Sequence, residues 1–427
     1  MLMTRVCPQF TAEPAVLPAL TPVAVAVGQV LFEQQFQAAL EEEVAALQPG
    51  EQCSPLTHLS DHCGSLPDPR EPGLGEHKLL DSVILAICAV ICGADRWVEI
   101  EAFGPGRYEW LRDFGELPHG MPSQDTWGRV FARGSAVALQ RGCARWLQAV
   151  FTVTHGQVMA LDGKTLRRSY DRGSGQAALH LVSAGANAHR LVLGPVQTDA
   201  QSNEITALPE LLQLLDVQGW SVTIDALGCQ RAIAAPIIAH GGDYVLALKG
   251  NQRGLYDDVR QFFDYAQARQ FNDISHRYHE TVDGDHGRVE VRRYWTVEQF
   301  EWLADRAKWQ GLSLIGMVEA ERHVGADVRV ERRYYIARLA NDAVRFGHAV
   351  RGHWSIENPL HWSLDVTFNE DGCRVRQGEA AENFAVLRHI ALSLLRQEKT
   401  AKVGLKAKRL KAALDIDYLL KVLNTQM

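Results

Sequence analysis

The amino-acid sequence predicts a mixed α/β fold in which a helical segment comes first and a sheet with helical crossovers follows. Between His77 and about Val150, apolar side chains recur at helical spacing. From Gln157 onwards, short β-rich runs alternate with amphipathic helices, an order typical of an α/β sheet. At 427 residues the chain is long enough to form several domains around a substantial core.

The part ahead of the predicted sheet divides into an extension and a helical domain. Residues 1–65 combine a Pro/Ala/Val-rich start with an acid-faced amphipathic helix at 31–47 and a linker. Residues 66–150 form the helical domain, in which Ser123 is a typical N-cap. Such a domain serves either DNA recognition or plain helical packing, and both interpretations stay open. The expected helices lie near 78–93, 95–103 and 107–114, with two more after the MPSQDTWGRVFA segment.

The predicted core sheet has three strands, a helix, a strand, a helix and a strand. This order is similar to that of ribonuclease-H-like cores, in which one acid lies on the first strand and a second on the fourth. Asp162 and Asp225 occupy those places. The expected strands are Val158–Leu161, Leu179–Ala184, Leu191–Gln197, Ser221–Ile224 and Tyr244–Leu248, and the expected helices are Glu204–Leu215 and Gln230–His240.

A β-rich insertion is predicted to interrupt this core. The core spans 151–250, the insertion 251–342, the rest of the core 343–398 and a basic tail 399–427. Glu357 lies in the second part of the core, on a predicted helix that Pro359 kinks. We expect insertion helices near 252–269 and 298–308, insertion strands at Arg288–Thr296, Leu312–Glu319 and Arg329–Ala337, and later helices at Glu382–Gln397 and Asp415–Leu423.

The charge of the chain is unevenly distributed. Its net charge is −7, yet residues 374–421 contain eleven Lys/Arg and five Asp/Glu, whereas residues 1–60 contain one basic residue and six acids. Local basic patches, rather than net charge, produce the electrostatic footprint that nucleic acids require.

The eight cysteines form no disulfide framework, no segment is predicted to span a membrane, and we expect a cytoplasmic protein. A zinc site at Cys53, His58, His62 and Cys63 is a minor alternative.

Three acidic residues at the edges of apolar segments point to a divalent-metal site: Asp162, Asp225 and Glu357. Hard cations such as Mg²⁺ prefer carboxylate oxygens, and two such ions can act on both oxygens of a phosphodiester. Each acid also has a structural interpretation. Asp162 fits a turn, Asp225 fits a helix N-cap, and the residues around Glu357 fit the buried face of an amphipathic helix. Asp365 is a competing candidate for the third carboxylate.

Basic and polar side chains near these acids are candidate DNA contacts. Those beside the first acid carry the positive charge that phosphates attract. Those that follow the fifth predicted strand either touch DNA or form a turn. The candidates are Lys164, Arg167 and Arg168 after Asp162, Lys249 and Asn251 after the fifth strand, and Arg351, His353 and Asn358 around Glu357.

Motifs spread over most of the chain, from about Leu66 to Leu423, carry a family resemblance. They include LPDPR (66–70), LDGKTLRRSYDR (161–172), TIDALGCQ (223–230), DYVLALKGNQ (243–252) and RGHWSIENPLHWSLDVTFNED (351–371). In these motifs the chain resembles the DDE transposases of bacterial insertion sequences, most closely the H-repeat-associated group. The resemblance implies that Asp162, Asp225 and Glu357 are the catalytic acids and hold two Mg²⁺ ions, which Mn²⁺ can replace.

The resemblance also implies an activity and partners. The activity is strand cleavage at the ends of the element, followed by strand transfer to target DNA. The partner is double-stranded DNA, bound by a homodimer in the bacterial nucleoid. One alternative is an inactive or domesticated relative that acts as a DNA-binding protein or simple nuclease. Another, a phosphohydrolase of small nucleotides, predicts a Gly-rich phosphate loop that the sequence lacks.

The chain departs from the family pattern in two places. Some relatives surround the third acid with Tyr, Arg and Lys, where this sequence has Val350, His353 and Leu364. Arg351, His353 and Asn358 are therefore the candidate substitutes. Residues 1–60 fall outside the resemblance, and they represent either an extra partner-binding helix or an upstream start.

Overall fold

A computed structural model describes the chain from Leu59 to Asn424 with internal gaps. The predicted acidic helix at 31–47 lies outside the described residues, as do Cys53, His58 and much of the predicted helix Glu204–Leu215. The described residues are 59, 61–71, 75–112, 115–150, 158–166, 179–186, 191–198, 208, 209, 211, 212, 215, 217–285, 288–325, 327–355 and 360–424.

Helices form the first part of the structure, as the sequence predicts. The first helix is apolar on all sides and is buried from Asp81 to Ile91, as expected for a helix at the centre of a domain. Ser123 caps the fourth helix by accepting a hydrogen bond from the backbone N–H of Thr126. The predicted helix at 107–114 is shorter, with a 3₁₀ turn ahead of it. The helices are α1 Leu79–Ile91, α2 Trp97–Phe103, α3 Tyr108–Leu111, α4 Gln124–Arg133 and α5 Ala136–Val150.

Nine strands among the described residues form a single mixed sheet. Its order is β3-β2-β1-β4-β5-β9-β8-β7-β6. The β1–β4 and β4–β5 pairs are parallel, and the remaining neighbours are antiparallel. The strands are β1 Val158–Leu166, β2 Leu179–Ala186, β3 Leu191–Thr198, β4 Ser221–Ile224, β5 Asp243–Leu248, β6 Arg277–Asp285, β7 Arg288–Val297, β8 Leu314–Val324 and β9 Asp327–Ala337.

The predicted insertion strands extend the core sheet, because β9 pairs directly with β5. The insertion contributes four strands, one more than the sequence predicts. The helix predicted near 298–308 is wrong. Successive backbone hydrogen bonds from Leu303 to Phe300 and from Arg306 to Leu303 close turns there instead. A three-residue apolar spacing fits such turns as well as a helix.

Helices cover both faces of the sheet. Alternate residues of β1 and β4, such as Leu161 and Ile224, face the main core. The opposite face packs on α8, where Phe346 lies so close to β8 that a Cβ on Gly316 would approach its ring to 2.4 Å. The remaining helices are α6 Arg231–Ala239, α7 Arg253–Ala268, α8 Ala343–Ser355, α9 Trp362–Phe368, α10 Ala380–Gln397, α11 Leu405–Leu414 and α12 Ile416–Leu423.

Helix α8 runs along β4 towards the carboxyl end of that strand. Near its start, Arg345 donates to Asp243 and to Ser221, the first residues of β5 and β4. Near its end, the ring Nδ1 of His353 lies 3.4 Å from the hydroxyl of Thr223. The helix therefore leads the chain towards the edge at which β1, β4 and β5 end.

The basic C-terminal stretch is partly internal. Lys408 and Arg409 are buried. Lys408 donates to the carbonyl of Leu395, and Arg409 donates to the carbonyl of Val90 and to Asp95. Arg409 therefore fixes α11 to the helical domain, and Lys408 fixes it to the last turn of α10. Within the described part of the chain, no helix has the length and apolar character needed to cross a membrane.

Candidate functional site

The first two predicted acids lie side by side at the carboxyl ends of two neighbouring strands. Leu161 of β1 pairs with Ile224 of β4 in parallel register, so the next residues, Asp162 and Asp225, are level with each other. Neighbouring strands lie about 4.8 Å apart. Because side chains alternate along a strand, both carboxylates are on the face of Thr223, which packs on α8.

Asp162 lies within β1, which continues to Leu166, so the interpretation as a turn residue is wrong. Its Oδ1 accepts a hydrogen bond from the N–H of Gly163 at 2.9 Å, and its side chain is 19% exposed. Nδ1 of His361 lies 3.6 Å from its Oδ2. Burial lowers the pKa of His361 to about 4. The imidazole is therefore neutral at pH 7 and does not offset the charge of Asp162.

Asp225 organises the turn after β4. Its Oδ1 accepts hydrogen bonds from the N–H groups of Leu227 and Gly228, at 3.0 and 3.1 Å. Helix α6 begins later, with Gln230 at the N-cap, so the interpretation of Asp225 as a helix cap is wrong. A Cβ on Gly228 would approach Ile224 to 2.2 Å, which explains why glycine is needed in this turn.

The residues after β5 support that turn. Asn251 donates from its amide to the carbonyl of Ala226 at 2.5 Å, and Gln252 donates to the carbonyl of Cys229 at 3.0 Å. These bonds connect the end of β5 to the loop that carries Asp225. Lys249 is exposed at the same edge. Of the polar residues predicted after β5, Asn251 therefore has a positioning contact and Lys249 faces solvent.

Lys164 forms an internal ion pair rather than an exposed phosphate contact. Its Nζ lies 2.5 Å from Asp365 and 2.9 Å from Glu370. Burial alone would lower the pKa of Lys164, but the two carboxylates outweigh that effect and raise it. The lysine is thus held charged between two acids. Asp365, the competing candidate for the third acid, is neutralised by the same contact.

The remaining predicted contacts lie apart from one another. Arg351 reaches Asp283 of β6 at 3.3 Å, and both side chains are half exposed. His353 lies against Thr223, two residues before Asp225. Glu357, Arg167, Arg168 and Asn358 lie outside the described residues.

Sequence reasoning missed two residues of this edge, His361 and Glu370. Glu370 is almost fully buried, and its second oxygen lies 3.9 Å from the ring of His389. The signal for His361 was its place in the LHWSLD segment, next to the predicted third acid. Nothing local marks Glu370, because its partner Lys164 is about two hundred residues away.

The donor set at this edge suits a hard cation. Asp162 and Asp225 offer carboxylate oxygens, which Mg²⁺ and Mn²⁺ prefer. Among the described residues, no three His, Cys, Asp or Glu side chains converge on a metal position. The third predicted carboxylate, Glu357, lies outside that part of the chain.

Comparisons with known proteins show which family this chain resembles. A family described as "DDE_Tnp_1-associated" matches residues 60–147, and a family described as "Transposase DDE domain" matches residues 154–394. "Putative transposase YncI" of Escherichia coli O157:H7 is 42% identical over 372 residues, which cover 86% of this chain and 95% of that protein.

Two further similarities complete the comparison. "H repeat-associated putative transposase YhhI" of Escherichia coli K12 is 40% identical over 373 residues, which cover 86% of this chain and 98% of the relative. A solved piggyBac transposase synaptic complex with hairpin DNA aligns with 88% of this chain and 82% of its own, at 10% identity and a TM-score of 0.36. A structural likeness at that level carries no argument about this chain.

Proposed function

This chain belongs to the DDE transposases, in the H repeat-associated group, and we propose that it cleaves DNA at the ends of an insertion sequence and transfers the cut strand to target DNA. The observation that carries the proposal is the parallel register of β1 and β4, which puts Asp162 beside Asp225. The strand order β3-β2-β1-β4-β5 supports a ribonuclease-H-like core, with these acids on its first and fourth strands.

Glu357 completes the proposed set of acids. It follows His353, which contacts Thr223, by four residues. Helix α8, which carries His353, leads the chain towards the strand ends that carry Asp162 and Asp225. The place of Glu357 in the sequence, shortly after this helix, supports its assignment as the third acid.

The three carboxylates would hold two Mg²⁺ ions, which Mn²⁺ can replace. When bound, such ions activate a water for attack on a phosphodiester and stabilise the leaving oxygen. The chain itself binds the DNA strand and orients the scissile phosphate at the sheet edge. After cleavage, the freed 3′-hydroxyl is held in the same place for attack on target DNA. Positioning of this kind requires no Ser, Cys or Tyr nucleophile.

We assign the DNA contacts near these acids to Arg167, Arg168, Lys249 and Asn358. Arg351 and His353, in the last turns of α8, are further assigned contacts. Lys249 supports this assignment, because it is exposed beside the turn of Asp225. Phosphate contacts of this kind position the strand without reading its sequence. A reaction on two element ends needs two copies of the site, so the DNA-bound form is a homodimer, acting at the nucleoid in the cytoplasm.

Cleavage of the DNA that flanks this gene's own ends tests the proposal. Asp225→Asn is the most informative variant, since Asn can still accept the hydrogen bonds from Leu227 and Gly228 while lacking the charge. We expect it to lose about 10³-fold in cleavage rate with Mg²⁺ or Mn²⁺, because cation-based charge stabilisation is worth several kcal/mol. DNA affinity without metal should stay within about twofold of wild type, since phosphate contacts set it.

Asp365→Asn is the matched control. It removes one carboxylate at the same edge, but one that is already paired with Lys164. We expect its cleavage rate to stay within about threefold of wild type, as for an acid outside the reacting group. Glu357→Gln should behave like Asp225→Asn. If wild type binds the ends without cutting them, the enzyme proposal is wrong and a DNA-binding relative replaces it. If Asp365→Asn does not cleave DNA whereas Glu357→Gln still cleaves it, Asp365 is the third acid.

A further inference from the structure

A cleft of about 1030 Å³ lies between the helical domain and the segment that precedes α10. One wall is formed by the start of α2 and the first half of α4, and the other by residues 374–380. Asp125 is the one carboxylate in its lining. Four arginines from three separate segments line it: Arg96, Arg129, Arg374 and Arg376.

Three of the four arginines that line this cleft have no acidic partner among the residues that the structure describes, unlike several arginines of the outer strands. Among the described residues, no carboxylate lies within ion-pair distance of Arg96, Arg129 or Arg374. Arg129 instead donates to the backbone carbonyl of Asp125 and lies 3.5 Å from a threonine hydroxyl. On the outer strands, in contrast, Arg292 contacts both Asp283 and Glu290.

Arg96, Arg129 and Arg374 are exposed and line the same cleft. Because no carboxylate among the described residues offsets their charge, this charge is available to an anionic ligand from outside the chain. Guanidinium groups bind phosphate oxygens in a bidentate geometry. Arginines from several segments around one cleft suit a ligand with several phosphates.

The cleft is prebuilt, because hydrogen bonds fix its two walls to each other. The N–H of Glu379 donates to the carbonyl of Ala132 at the end of α4, and Asn383 donates to the carbonyls of Phe131 and Gly134. Gly378 adopts a φ of +52°, and a Cβ there would approach the carbonyl oxygen of Ala132 to 2.3 Å. The segment with Arg374 and Arg376 is thus held against α4 before any ligand arrives.

The cleft is also connected to the acid edge of the sheet. Arg374 follows Glu370 by four residues, and Glu370 pairs with Lys164, two residues beyond Asp162. Helix α10 begins at the cleft and brings His389 to 3.9 Å from Glu370. Nine residues of helix span about 14 Å, which is roughly four base pairs of a DNA strand. A duplex in the cleft could therefore extend towards Asp162.

We propose that this cleft binds the phosphate backbone of duplex DNA through Arg96, Arg129, Arg374 and Arg376 and holds the duplex next to the catalytic edge. The inference rests on the proposed function, since the ligand is the DNA that the site acts on. It assigns affinity, not sequence recognition, to these arginines, because phosphate contacts carry no sequence information.

The test is a titration of labelled duplex with the full chain at several salt concentrations, without divalent metal. The variant is Arg96→Ala/Arg129→Ala/Arg374→Ala. Each lost phosphate contact makes the plot of log affinity against log salt less steep by about 0.9. At 0.1 M salt this change corresponds to about an eightfold loss of affinity, if the affinities are equal at 1 M salt. The triple variant should lose about 2.7 in slope and roughly 500-fold in affinity.

Two controls separate charge from folding. Arg133→Ala removes an exposed arginine from the same helix, α4, outside the cleft lining, and its affinity should stay within about twofold of wild type. The corresponding triple Arg→Lys variant keeps the charge and should recover most of the lost affinity. Circular dichroism and thermal melting should match wild type for each variant, because these arginines form no internal ion pairs among the described residues.

The outcomes distinguish this inference from the catalytic proposal. If wild type binds DNA without cutting it but the triple variant still loses affinity and slope, the catalytic proposal fails and the cleft assignment stands. If the Ala and Lys triple variants both keep the wild-type affinity and slope, the cleft is not a DNA site, whatever the cleavage result. If the Ala triple variant misfolds, Arg374→Ala alone decides: a slope lowered by about 0.9 supports the assignment, and an unchanged slope overturns it.

Discussion

Two sets of carboxylates lie close together at the edge of this sheet, and their surroundings differ. Asp162 and Asp225 accept hydrogen bonds from backbone N–H groups. Asp365 and Glu370 are paired with the ammonium group of Lys164, and Glu370 is almost fully buried. The first pair is held by neutral backbone N–H groups, whereas the negative charge of the second pair is offset by the ammonium group of Lys164.

This difference separates a structural acid from one that can act on a ligand. A buried carboxylate must be paired, because the desolvation cost of an isolated buried charge is several kcal/mol. A neutral N–H group adds no positive charge, so a carboxylate that accepts only such hydrogen bonds can still attract a cation. Residue type and sequence position do not make this distinction, because Asp365 is an aspartate like Asp162 and lies in a motif of the same family resemblance.

The prediction with the largest expected effect on stability breaks the structural pair. Lys164→Met should lower the free energy of unfolding by about 3–5 kcal/mol, because it leaves Glu370 buried without its cation. Urea denaturation of the full chain, followed by fluorescence, measures this loss. Lys406→Met, which removes an exposed lysine, should change the free energy of unfolding by less than about 0.5 kcal/mol.

A double variant makes this prediction specific to the ion pair. Adding Glu370→Gln to Lys164→Met removes the unpaired charge, so part of the lost stability should return. A loss below about 1 kcal/mol in Lys164→Met, as for an exposed ion pair, would show that Lys164 is free to contact DNA as the sequence predicts.

Glu398 is another carboxylate with partners inside the protein, and its contribution to stability should depend on pH. Burial would raise its pKa, but hydrogen bonds from Thr400, Tyr418 and Ala401 outweigh burial and lower the pKa to about 2. The unfolded chain binds a proton near pH 4.5, so Glu398 stabilises the fold above that pH. This contribution should disappear progressively as the pH falls from about 4.5 to 2.

Glu398→Gln should therefore be less stable than wild type at pH 7, and the two proteins should become similar near pH 2. Urea midpoints between pH 7 and 2.5 measure the difference. Glu109→Gln is the matched control, because the side chain of Glu109 is 86% exposed and the midpoints should follow wild type throughout. A constant gap between Glu398→Gln and wild type at every pH would contradict the shifted pKa.

The sequence predicts the centre of the sheet better than its periphery. Ser221–Ile224 is confirmed at both ends, because a short apolar run between turn residues has few alternatives. Strand β6, Arg277–Asp285, was not predicted, since it is a polar edge strand without apolar alternation. The structural role of Lys164 also escaped prediction, because Asp365 and Glu370 approach it only through the tertiary fold.

Candidate site residues could be predicted where strand order brings them together, and not where separate segments meet only in the tertiary fold. The neighbouring positions of Asp162 and Asp225 follow from strand order, which local pattern indicates. The cleft arginines come from α2, α4 and the segment before α10, and no local motif joins them. Arg374 and Arg376 in GCRVRQG were the available signal, but spacing alone does not distinguish a ligand contact from a solvated charge.

The smallest expected effect tests whether Asn251 positions the site or contacts DNA. Asn251→Ala removes its hydrogen bond to the carbonyl of Ala226, in the turn that Asp225 organises. We expect a loss of about 1 kcal/mol in stability and about tenfold in cleavage rate at saturating DNA, with unchanged DNA affinity. Lys249→Ala, beside it, should instead lower the affinity and reduce the salt slope by about 0.9. If Asn251→Ala lowers the affinity and leaves the saturated rate intact, the sequence-based assignment of Asn251 to DNA binding is correct and the positioning role is wrong.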